Sequence, residues 1–501
     1  MPKFVFLWTD FVLWLLAAGA VFYAYKVRAD RNLRATWRRV ALDAPAMCAA
    51  VLLAVFLAIA MADSIHYRPL LPPAPGAEAN ARTAYATRTY SVLDGLLSHA
   101  IESREKTYST PLAYWSFQRE TTVIDGKEVR ELPRLFFGGA HLTDPAAQWK
   151  GDLTRRSLAG LLGGLVVALI CGCLLAVALG GRYGGWRGAL SAIRRGETEM
   201  PWRAMLVTFA ALALFIGWIA VLWPEYHVFG TDRTGNDVLY EALKSIRTAV
   251  VIGSLSTVAT LPLAIAFGLL AGYFKGWVDD VIQYLYTVLS SIPPILLVAA
   301  FVLLINVYID ENVSSYETGV ERAEFRLFLL CLILGVTGWA TLCRLLRAET
   351  LKLAELEFVQ AARAFGVSHW GIMRRHVLPN VMHLVLIVAV LDFSALVLYE
   401  AVLSYVGVGV DPNSASFGSM INLARSEMSR DPSVWWNLAT AFVFMLALVL
   451  AANLFADAIR EAFDPRARVF KPRRAAAGLG RREPAPAAPA PQEITGDPVH
   501  G

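Results

Sequence analysis

The sequence EFVQAARAFGVSHWGIMRRHVLPN, residues Glu357–Asn380, lies between two long apolar stretches of a 501-residue chain. Residues 351–365, wound as a helix, form an amphipathic segment that is too short to cross a membrane. Gly366 fits a left-handed cap at the end of this helix, Ser368 can cap a second short helix, and Pro379 is expected to stop that second helix. The stretch therefore predicts a helix–turn–helix elbow next to a membrane.

The residues alone leave two interpretations of this elbow, which spans residues 351–380. Its amphipathic helix could lie flat in the lipid interface, or the elbow could bind another protein chain. Small alanines would permit the close approach of a partner, and a glycine would set the angle between two helices. The predicted apolar face consists of Leu351, Ala354, Phe358, Ala361, Ala362 and Phe365, while Lys352, Glu357, Gln360 and Arg363 point away from it.

The chain around the elbow has the composition of a membrane protein. Apolar residues make up 56% of it and charged residues only 17%, a balance that is too apolar for a soluble fold. A helix needs about 20 apolar residues to cross the hydrocarbon core. Nine stretches qualify, and they are Phe4–Tyr25, Val40–Met61, Leu158–Leu179, Ala204–Trp223, Val250–Tyr273, Val281–Tyr308, Phe325–Cys343, Val381–Leu403 and Trp435–Ala458. The predicted fold class is an all-α polytopic membrane protein with about nine transmembrane helices.

Basic residues between these stretches predict the orientation. The loops 26–39 and 182–203 are rich in Arg and Lys, so the positive-inside rule places both in the cytoplasm. Counting helices from these loops puts the N-terminus outside and the elbow and the C-terminus in the cytoplasm. The first stretch is expected to be a retained anchor, because its positive charges follow the apolar run. The same clustering explains the net charge of +5 without a nucleic-acid partner.

Two regions lie outside the apolar stretches. Residues 63–157 combine mixed charge with aromatic side chains and predict a small external, periplasmic insert. Residues 469–501 become rich in Ala and Pro, a composition that cannot bury a core, so a disordered cytoplasmic tail is expected. The predicted organisation also contains two transmembrane helices in residues 1–62, and a third with its basic loop in residues 158–203.

The elbow sequence resembles the EAA loop of permeases from binding-protein-dependent ABC importers. The matching positions are Ala361, Ala362, Gly366, Leu378 and Pro379, with Gln360 in place of the motif's glutamate and His376 where other branches have an aliphatic residue. In that family the elbow docks into a groove on a separate ATPase. The resemblance therefore implies an ATPase-coupling role for Glu357, Gln360, Ala361, Ala362, Gly366, His376, Leu378 and Pro379.

Further segments resemble the oligopeptide, dipeptide and nickel permeases, in the order of that family. They are GTDRTGNDVLYEALKSIRTAVVIG (230–253), AGYFKGWVDD (271–280), SSIPPILL (290–297), EAVLSYVGVGVDPNSASFG (400–418) and ADAIREAFDPRAR (456–468). This order implies that residues 204–468 form a MetI-like transmembrane domain of six helices. It also implies a family motif at the external entrance, formed by Gly230, Thr231, Asp232, Gly235 and Asp237.

The resemblance implies the permease subunit of an importer in the inner membrane, forming half of a translocation pathway for peptides or related small solutes. The implied partners are a second related permease, two ATPase subunits and an external solute-binding protein. The chain contains no Gly-x-x-x-x-Gly-Lys-Ser/Thr phosphate loop, so ATP and Mg are expected on the partner ATPases and no cofactor is expected here. The external insert would contact the binding protein or shape the entrance, or it would be lineage-specific padding.

Two other function classes lack their sequence signatures. A membrane enzyme would need a zincin His-Glu-x-x-His or a serine elbow of Gly-x-Ser-x-Gly, and a secondary transporter would usually show inverted repeats; neither pattern is evident. The five cysteines lie in or beside apolar runs without metal-site spacing and predict packing roles. His376 and His383 share a helical face, but no carboxylate completes a ligand set.

A few residues inside the apolar stretches are candidates for transport. Asp392 should not face lipid, because a carboxylate there costs about 2.5–3.5 kcal/mol on insertion scales. It would either line the path and meet a peptide's ammonium group or form a buried tie to a neighbour such as Asn453. Glu400 is expected to be structural or gating. Prolines in the fifth and sixth stretches, Pro262, Pro293 and Pro294, are expected to kink their helices and open a cavity.

Overall fold

The computed structural model of the chain describes residues 2–71, 85–124, 127–411 and 414–463. The tail predicted over residues 469–501 lies outside the described residues. The α-helices of the described chain are α1 Trp8–Ala29, α2 Arg31–Leu42, α3 Ala44–Asp63, α4 Val92–Leu96, α5 Ser98–Glu102, α6 Pro145–Leu179, α7 Trp186–Arg195, α8 Trp202–Leu222, α9 Val238–Phe274, α10 Gly276–Ser291, α11 Pro294–Glu311, α12 Gly319–Gly338, α13 Ala340–Ala354, α14 Glu357–Ala364, α15 His369–Ile372, α16 Leu378–Val406, α17 Phe417–Glu427 and α18 Trp436–Phe463. The strands are β1 Lys3–Phe4, β2 His66–Arg68, β3 Tyr90–Ser91, β4 Glu120–Ile124 and β5 Lys127–Glu131.

Nine helical segments in the described part of the chain are long and apolar enough to cross a membrane. They are Trp8–Ala29, Ala44–Asp63, Pro145–Arg182, Trp202–Leu222, Val238–Phe274, Pro294–Glu311, Gly319–Ala354, His369–Val406 and Trp436–Phe463. Each overlaps one of the nine predicted stretches, because a run of about 20 apolar residues is a local property of the sequence. The all-α class and the number of spanning helices are confirmed.

The sixth predicted stretch is wrong in one respect, since Val281–Tyr308 is not a single kinked helix. Helix α10 ends at Ser291 and α11 begins at Pro294, with Ile292 in an extended conformation between them. Two adjacent prolines remove two backbone donors, and a residue before proline avoids the helical region. Pro262, by contrast, lies inside α9 without breaking it.

Helix α9 is the centre of the molecule and packs against α12, α13 and α16. It has 37 residues and a length of about 55 Å, well beyond the hydrocarbon thickness of about 30 Å, so one end extends past the membrane. Close packing depends on small residues along these helices. At Gly335 of α12, for example, a Cβ atom would come within 2.4 Å of the Ala259 side chain on α9.

The N-terminal helices and the insert are built onto this centre. Helix α3 packs against α18, α9 and α8, and α8 pairs with α6. Strand β2, which follows α3, pairs antiparallel with both β1 and β3. The first residues of the chain therefore lie on the same side of the helices as the insert.

Candidate functional site

The elbow begins where α13 ends at Ala354, and its turn has the predicted left-handed glycine. Gly366 adopts φ +75°, and the N–H of Val367 donates to the carbonyl of Ala362 at 3.1 Å, which closes the end of α14. The hydroxyl oxygen of Ser368 accepts a hydrogen bond from the N–H of Gly371 at 3.2 Å and caps α15. The predicted turn at Gly366 and the cap at Ser368 are confirmed, but the single helix predicted over residues 351–365 is wrong, because α13 ends at Ala354 and a new helix, α14, begins at Glu357.

The predicted stop at Pro379 is wrong. After α15 the chain forms a π-helical turn, Met373–Val377, and then enters α16 directly. Pro379 lies in the first turn of α16. The wider π-helical turn tolerates the ring and the missing N–H, so the proline sits at a change of helical pitch instead of a break. The elbow and the next membrane helix therefore form one continuous helical segment.

Buried apolar residues of the elbow attach it to the membrane helices. Val359, Ile372 and Val377 are fully buried in one cluster that includes Leu342 and Leu346 of α13. Because this cluster also contains residues of α9 and α16, movement of the elbow has to move these helices with it.

Polar contacts reinforce this attachment at the end of α9. The hydroxyl of Tyr273 lies 3.0 Å from Nδ1 of His369, and the guanidinium of Arg363 lies 5.3 Å from the Tyr273 ring centroid. Lys275 also forms an ion pair with Glu355. The turn between α9 and α10 is thus tied to both ends of α14.

A second tie connects α10 to α13. Both oxygens of the Asp279 carboxylate accept hydrogen bonds from Arg347. These bonds hold the pKa of Asp279 below its ordinary value, against the opposing effect of burial. Helix α10 is therefore tied to α13, the helix that leads into the elbow, and the two are expected to move together.

The opposite side of the elbow is apolar and exposed. Phe365 is 87% exposed and Trp370 is 68% exposed. We define the elbow surface as the exposed apolar side chains Leu356, Phe358, Phe365, Val367 and Trp370. Exposed apolar clusters of this kind are typical of surfaces that contact another protein or a membrane.

The structure divides the predicted apolar face of the first elbow helix. Ala354 and Ala362 are buried, whereas Phe358, Ala361 and Phe365 are exposed. Sequence reasoning missed Val359 as the anchor because the projection assumed one helix from Leu351, whereas the helix is interrupted between Ala354 and Glu357. It missed Trp370 as part of the surface because a helical projection does not extend through the Gly366 turn.

The remaining predicted coupling residues surround this surface. Glu357 and Gln360 are exposed, and the side-chain amide of Gln360 donates to the carbonyl of Glu355 at 3.1 Å. The ring of His376 lies 6.2 Å from that of Phe358. Leu378 is partly buried and begins α16.

The motif predicted at the external entrance forms a tight loop that starts α9. The carboxylate of Asp237 accepts hydrogen bonds from the N–H groups of Leu239 and Tyr240, at 2.9 and 3.2 Å, and so caps the helix. The carboxylate of Asp232 accepts from the N–H groups of Thr234 and Asn236, both at 2.8 Å. Local sequence rules account for both turns.

The insert binds to this same loop. The N–H of Ser109 donates to Oγ1 of Thr231 at 2.6 Å, and the N–H of Glu105 donates to the carbonyl of Gly235 at 3.0 Å. Gly235 and Gly230 have φ +80° and +73°. At Gly235 a Cβ would lie 1.8 Å from the Glu105 carbonyl oxygen, so glycine permits the contact.

A buried histidine, which sequence reasoning missed, sits at this junction. Nδ1 of His227 lies 2.9 Å from Asp237, and Nε2 lies 3.7 Å from Oε1 of Glu105, an ion pair longer than a hydrogen bond. Burial alone would lower the pKa of His227, but the two carboxylates raise it to about 9. The hydrogen bonds that Glu105 accepts overcome the opposing effect of burial and hold its own pKa below the ordinary value. The insert is therefore attached through a buried ion cluster.

The predicted transport candidates lie in α16 and at the α10–α11 break. Glu400 is 2% exposed and accepts a hydrogen bond from Oγ of Ser404 at 2.6 Å, which places it in the packing near the end of α16. Asp392 is partly buried, and among the described residues no hydrogen bond or ion pair reaches its carboxylate, so the alternative of a tie to a neighbour such as Asn453 has no contact to support it. Pro293 and Pro294 form the break described above.

Comparisons with known proteins identify relatives of this chain. Residues 264–469 match the family described as binding-protein-dependent transport system inner membrane component. The oligopeptide transport system permease protein OppC of Mycobacterium tuberculosis H37Rv is 32% identical over 245 residues, which cover 49% of this chain and 78% of that protein. OppC of Haemophilus influenzae is 29% identical over 243 residues, covering 48% and 71%. An inward-facing MetNI methionine ABC transporter structure aligns over 45% of this chain and 97% of its own, with a TM-score of 0.35 and 16% identity.

Proposed function

Because this chain belongs to the family of binding-protein-dependent transport system inner membrane components, we propose that its elbow couples the membrane helices to a separate ATPase. The chain is the permease of an ABC importer, as the resemblance implied. The elbow would be the part of the molecule through which this permease receives the energy of ATP hydrolysis.

The observation that carries this proposal is the exposed elbow surface. The buried side of the same elbow is packed against the membrane helices. Phe365 and Trp370 protrude from the turn, while Val359 and Ile372 are buried against the membrane helices. Aromatic anchors of this kind contribute most of the binding energy in protein interfaces. A partner that grips the turn would therefore move α9, α13 and α16 together.

Two features favour a protein partner over the lipid surface. Helix α14 has eight residues and α15 has four, whereas interfacial helices are held by a continuous apolar stripe. The apolar residues Val359 and Ala362 of α14 are buried within the protein itself, so they are not available to lipid. What remains exposed is clustered around the turn.

The same family membership supports a proposal for the complete assembly. We propose a second related permease, two ATPase subunits that bind ATP and Mg, and an external solute-binding protein, with no enzymatic activity and no cofactor in this chain. The chain would lie in the inner membrane with its N-terminus outside and its C-terminus in the cytoplasm. Relatives are named oligopeptide and dipeptide permeases, and we propose peptides or related small solutes as cargo.

Replacement of the aromatic anchors tests the coupling proposal. Phe365→Ala and Trp370→Ala should each weaken retention of the ATPase subunits on the purified chain about 30-fold, as expected for the loss of about 2 kcal/mol at an interface anchor. Trp186→Ala is the matched control, because Trp186 is 52% exposed and lies on α7, outside the elbow.

The preparation should contain ATPase subunits that mass spectrometry identifies, and the same measurement identifies any ligand of a co-purifying binding protein. A chain that purifies alone, or Phe365→Ala and Trp370→Ala variants that retain the ATPase as well as Trp186→Ala does, would contradict the proposal.

A further inference from the structure

A cavity of about 430 Å³ lies between the insert and the ends of α9 and α12. The insert and the adjoining end of α3 contribute Asp63, Thr89 and Asp94 to its wall, and the permease helices contribute Glu241 and Arg322. We call it the insert cavity. Its volume is within the range of sites that bind small molecules, about 300–1,000 Å³.

Most of the charges around the insert cavity neutralise each other. Nζ of Lys244 lies 2.8 Å from Asp94 and 3.1 Å from Asp63. Arg247 is paired with Glu324 at 2.7 Å and also with Asp10. These ion pairs join the insert, α1, α9 and α12. The charges of the residues in these pairs are therefore used to hold the walls of the cavity together.

Three charged side chains of the wall form no ion pair with the residues that the structure describes. Arg88 is exposed and lies over the Tyr90 ring, whereas Glu241 and Arg322 are partly buried and have opposite charges. No hydrogen bond or ion pair reaches the carboxylate of Glu241, although it lies one helical turn from Lys244. Nε of Arg322 is buried and makes no hydrogen bond. A desolvated charge without a partner is costly, so both groups are suited to a ligand that supplies the opposite charges.

A neutral polar group adds an independent indication. Thr89 is only 6% exposed, and its Oγ1 is buried without a hydrogen-bond partner. Buried hydroxyl groups are almost always hydrogen-bonded in folded proteins. The wall therefore offers an anion, a cation and a hydroxyl, all unpartnered within the described chain, around a space of small-molecule size.

We propose that the insert cavity binds a zwitterionic solute of about dipeptide size, with its ammonium group at Glu241 and its carboxylate at Arg322. This inference rests on the proposed function, since it assigns part of the transported solute's route to this chain. The arrangement neutralises both protein charges with one neutral ligand, through charge-assisted hydrogen bonds that are stronger than neutral ones. It also makes the insert a part of the binding site, because one wall of the cavity belongs to it.

Direct binding to the full-length chain in lipid nanodiscs tests the proposal without the binding protein. The probes are dialanine, N-acetyl-dialanine and dialanine amide, measured by titration calorimetry. Wild-type chain should bind dialanine at least about tenfold more tightly than either capped form, since each cap removes one charge-assisted contact. This comparison needs no variant and so is independent of folding defects.

Two variants assign the ends of the ligand. Glu241→Gln should abolish discrimination against the N-acetyl form, and Arg322→Gln should abolish discrimination against the amide. Glu102→Gln and Arg119→Gln are matched controls, because both residues are exposed on the insert and outside the cavity; both should bind as wild type does.

The proposal is overturned if wild-type chain does not bind dialanine, if capped peptides bind as tightly, or if discrimination survives in both cavity variants. Retention of ATPase subunits is measured on the same preparations. A chain that retains its ATPase but does not discriminate among the peptides refutes the cavity and leaves the proposed function standing. Loss of the ATPase in every preparation instead refutes the proposed function.

Discussion

Replacement of Gly366 isolates the contribution of one backbone angle to coupling. The residue has φ +75°, and no atom lies within 4 Å of the position that a Cβ would occupy. Gly366→Ala therefore introduces no steric clash, and its cost is the left-handed conformation itself, about 1–2 kcal/mol. Because tenfold in affinity corresponds to about 1.4 kcal/mol, ATPase binding should weaken about 5- to 30-fold.

A graded series makes this prediction specific. Asn tolerates the left-handed region, so Gly366→Asn should retain more ATPase than Gly366→Ala, and Gly366→Leu should resemble the alanine variant. Gly196→Ala is the matched control, since Gly196 caps α7 with φ +73° and also has no atom within 4 Å. The assay is ATPase retention and solute-stimulated ATP turnover in reconstituted membranes. Equal retention by the wild-type chain and the Gly366→Ala variant, or an equal loss in Gly196→Ala, would refute the reasoning.

Three further predictions concern other parts of the molecule. The raised pKa of His227, about 9 against 6.5, stabilises insert docking by about 3 kcal/mol. This contribution is complete below pH 6.5 and is lost as the pH rises through 9. Proteolysis of the insert should therefore increase over that pH range in the wild-type chain and in the exposed control His99→Gln. In His227→Gln the rate of proteolysis should not show this pH dependence. Arg247→Met leaves the carboxylate of Glu324 without its cation and that of Asp10 with His66 alone. It should destabilise the chain by about 3–5 kcal/mol, measured as a lower thermal midpoint; an unchanged midpoint would show that the pair is not essential. Asp392→Asn should preserve folding and alter uptake kinetics if its carboxylate lines the path, and unchanged kinetics would leave only a structural role.

The prolines show how far local rules extend. A proline removes a backbone donor wherever it occurs, yet Pro262 remains within α9, while Pro293 and Pro294 separate α10 from α11. The sequence predicted that each proline would disturb its helix, but not whether the helix would continue or end there, because proline can cause either outcome. At Pro379 the predicted stop was wrong because a π-helical turn adjusts the backbone.

The sequence by itself determined the features that depend on neighbouring residues. The nine spanning helices follow from runs of apolar residues, the elbow turn follows from Gly366 and Ser368, and the family follows from short motifs in order. Each is decided within a few turns of helix, where the chain's own connectivity brings the interacting groups together.

Only the tertiary structure decided which side of the elbow is buried, how the insert is attached and where the insert cavity lies. Ser109 and Thr231 meet across 122 residues of sequence, and the unpartnered charges of Glu241 and Arg322 come together only because α9, α12 and the insert pack around one space. Periodicity specifies that a face is apolar, but not what covers it. Burial and charge pairing are properties of contacts between distant segments, and these form only when the chain has folded.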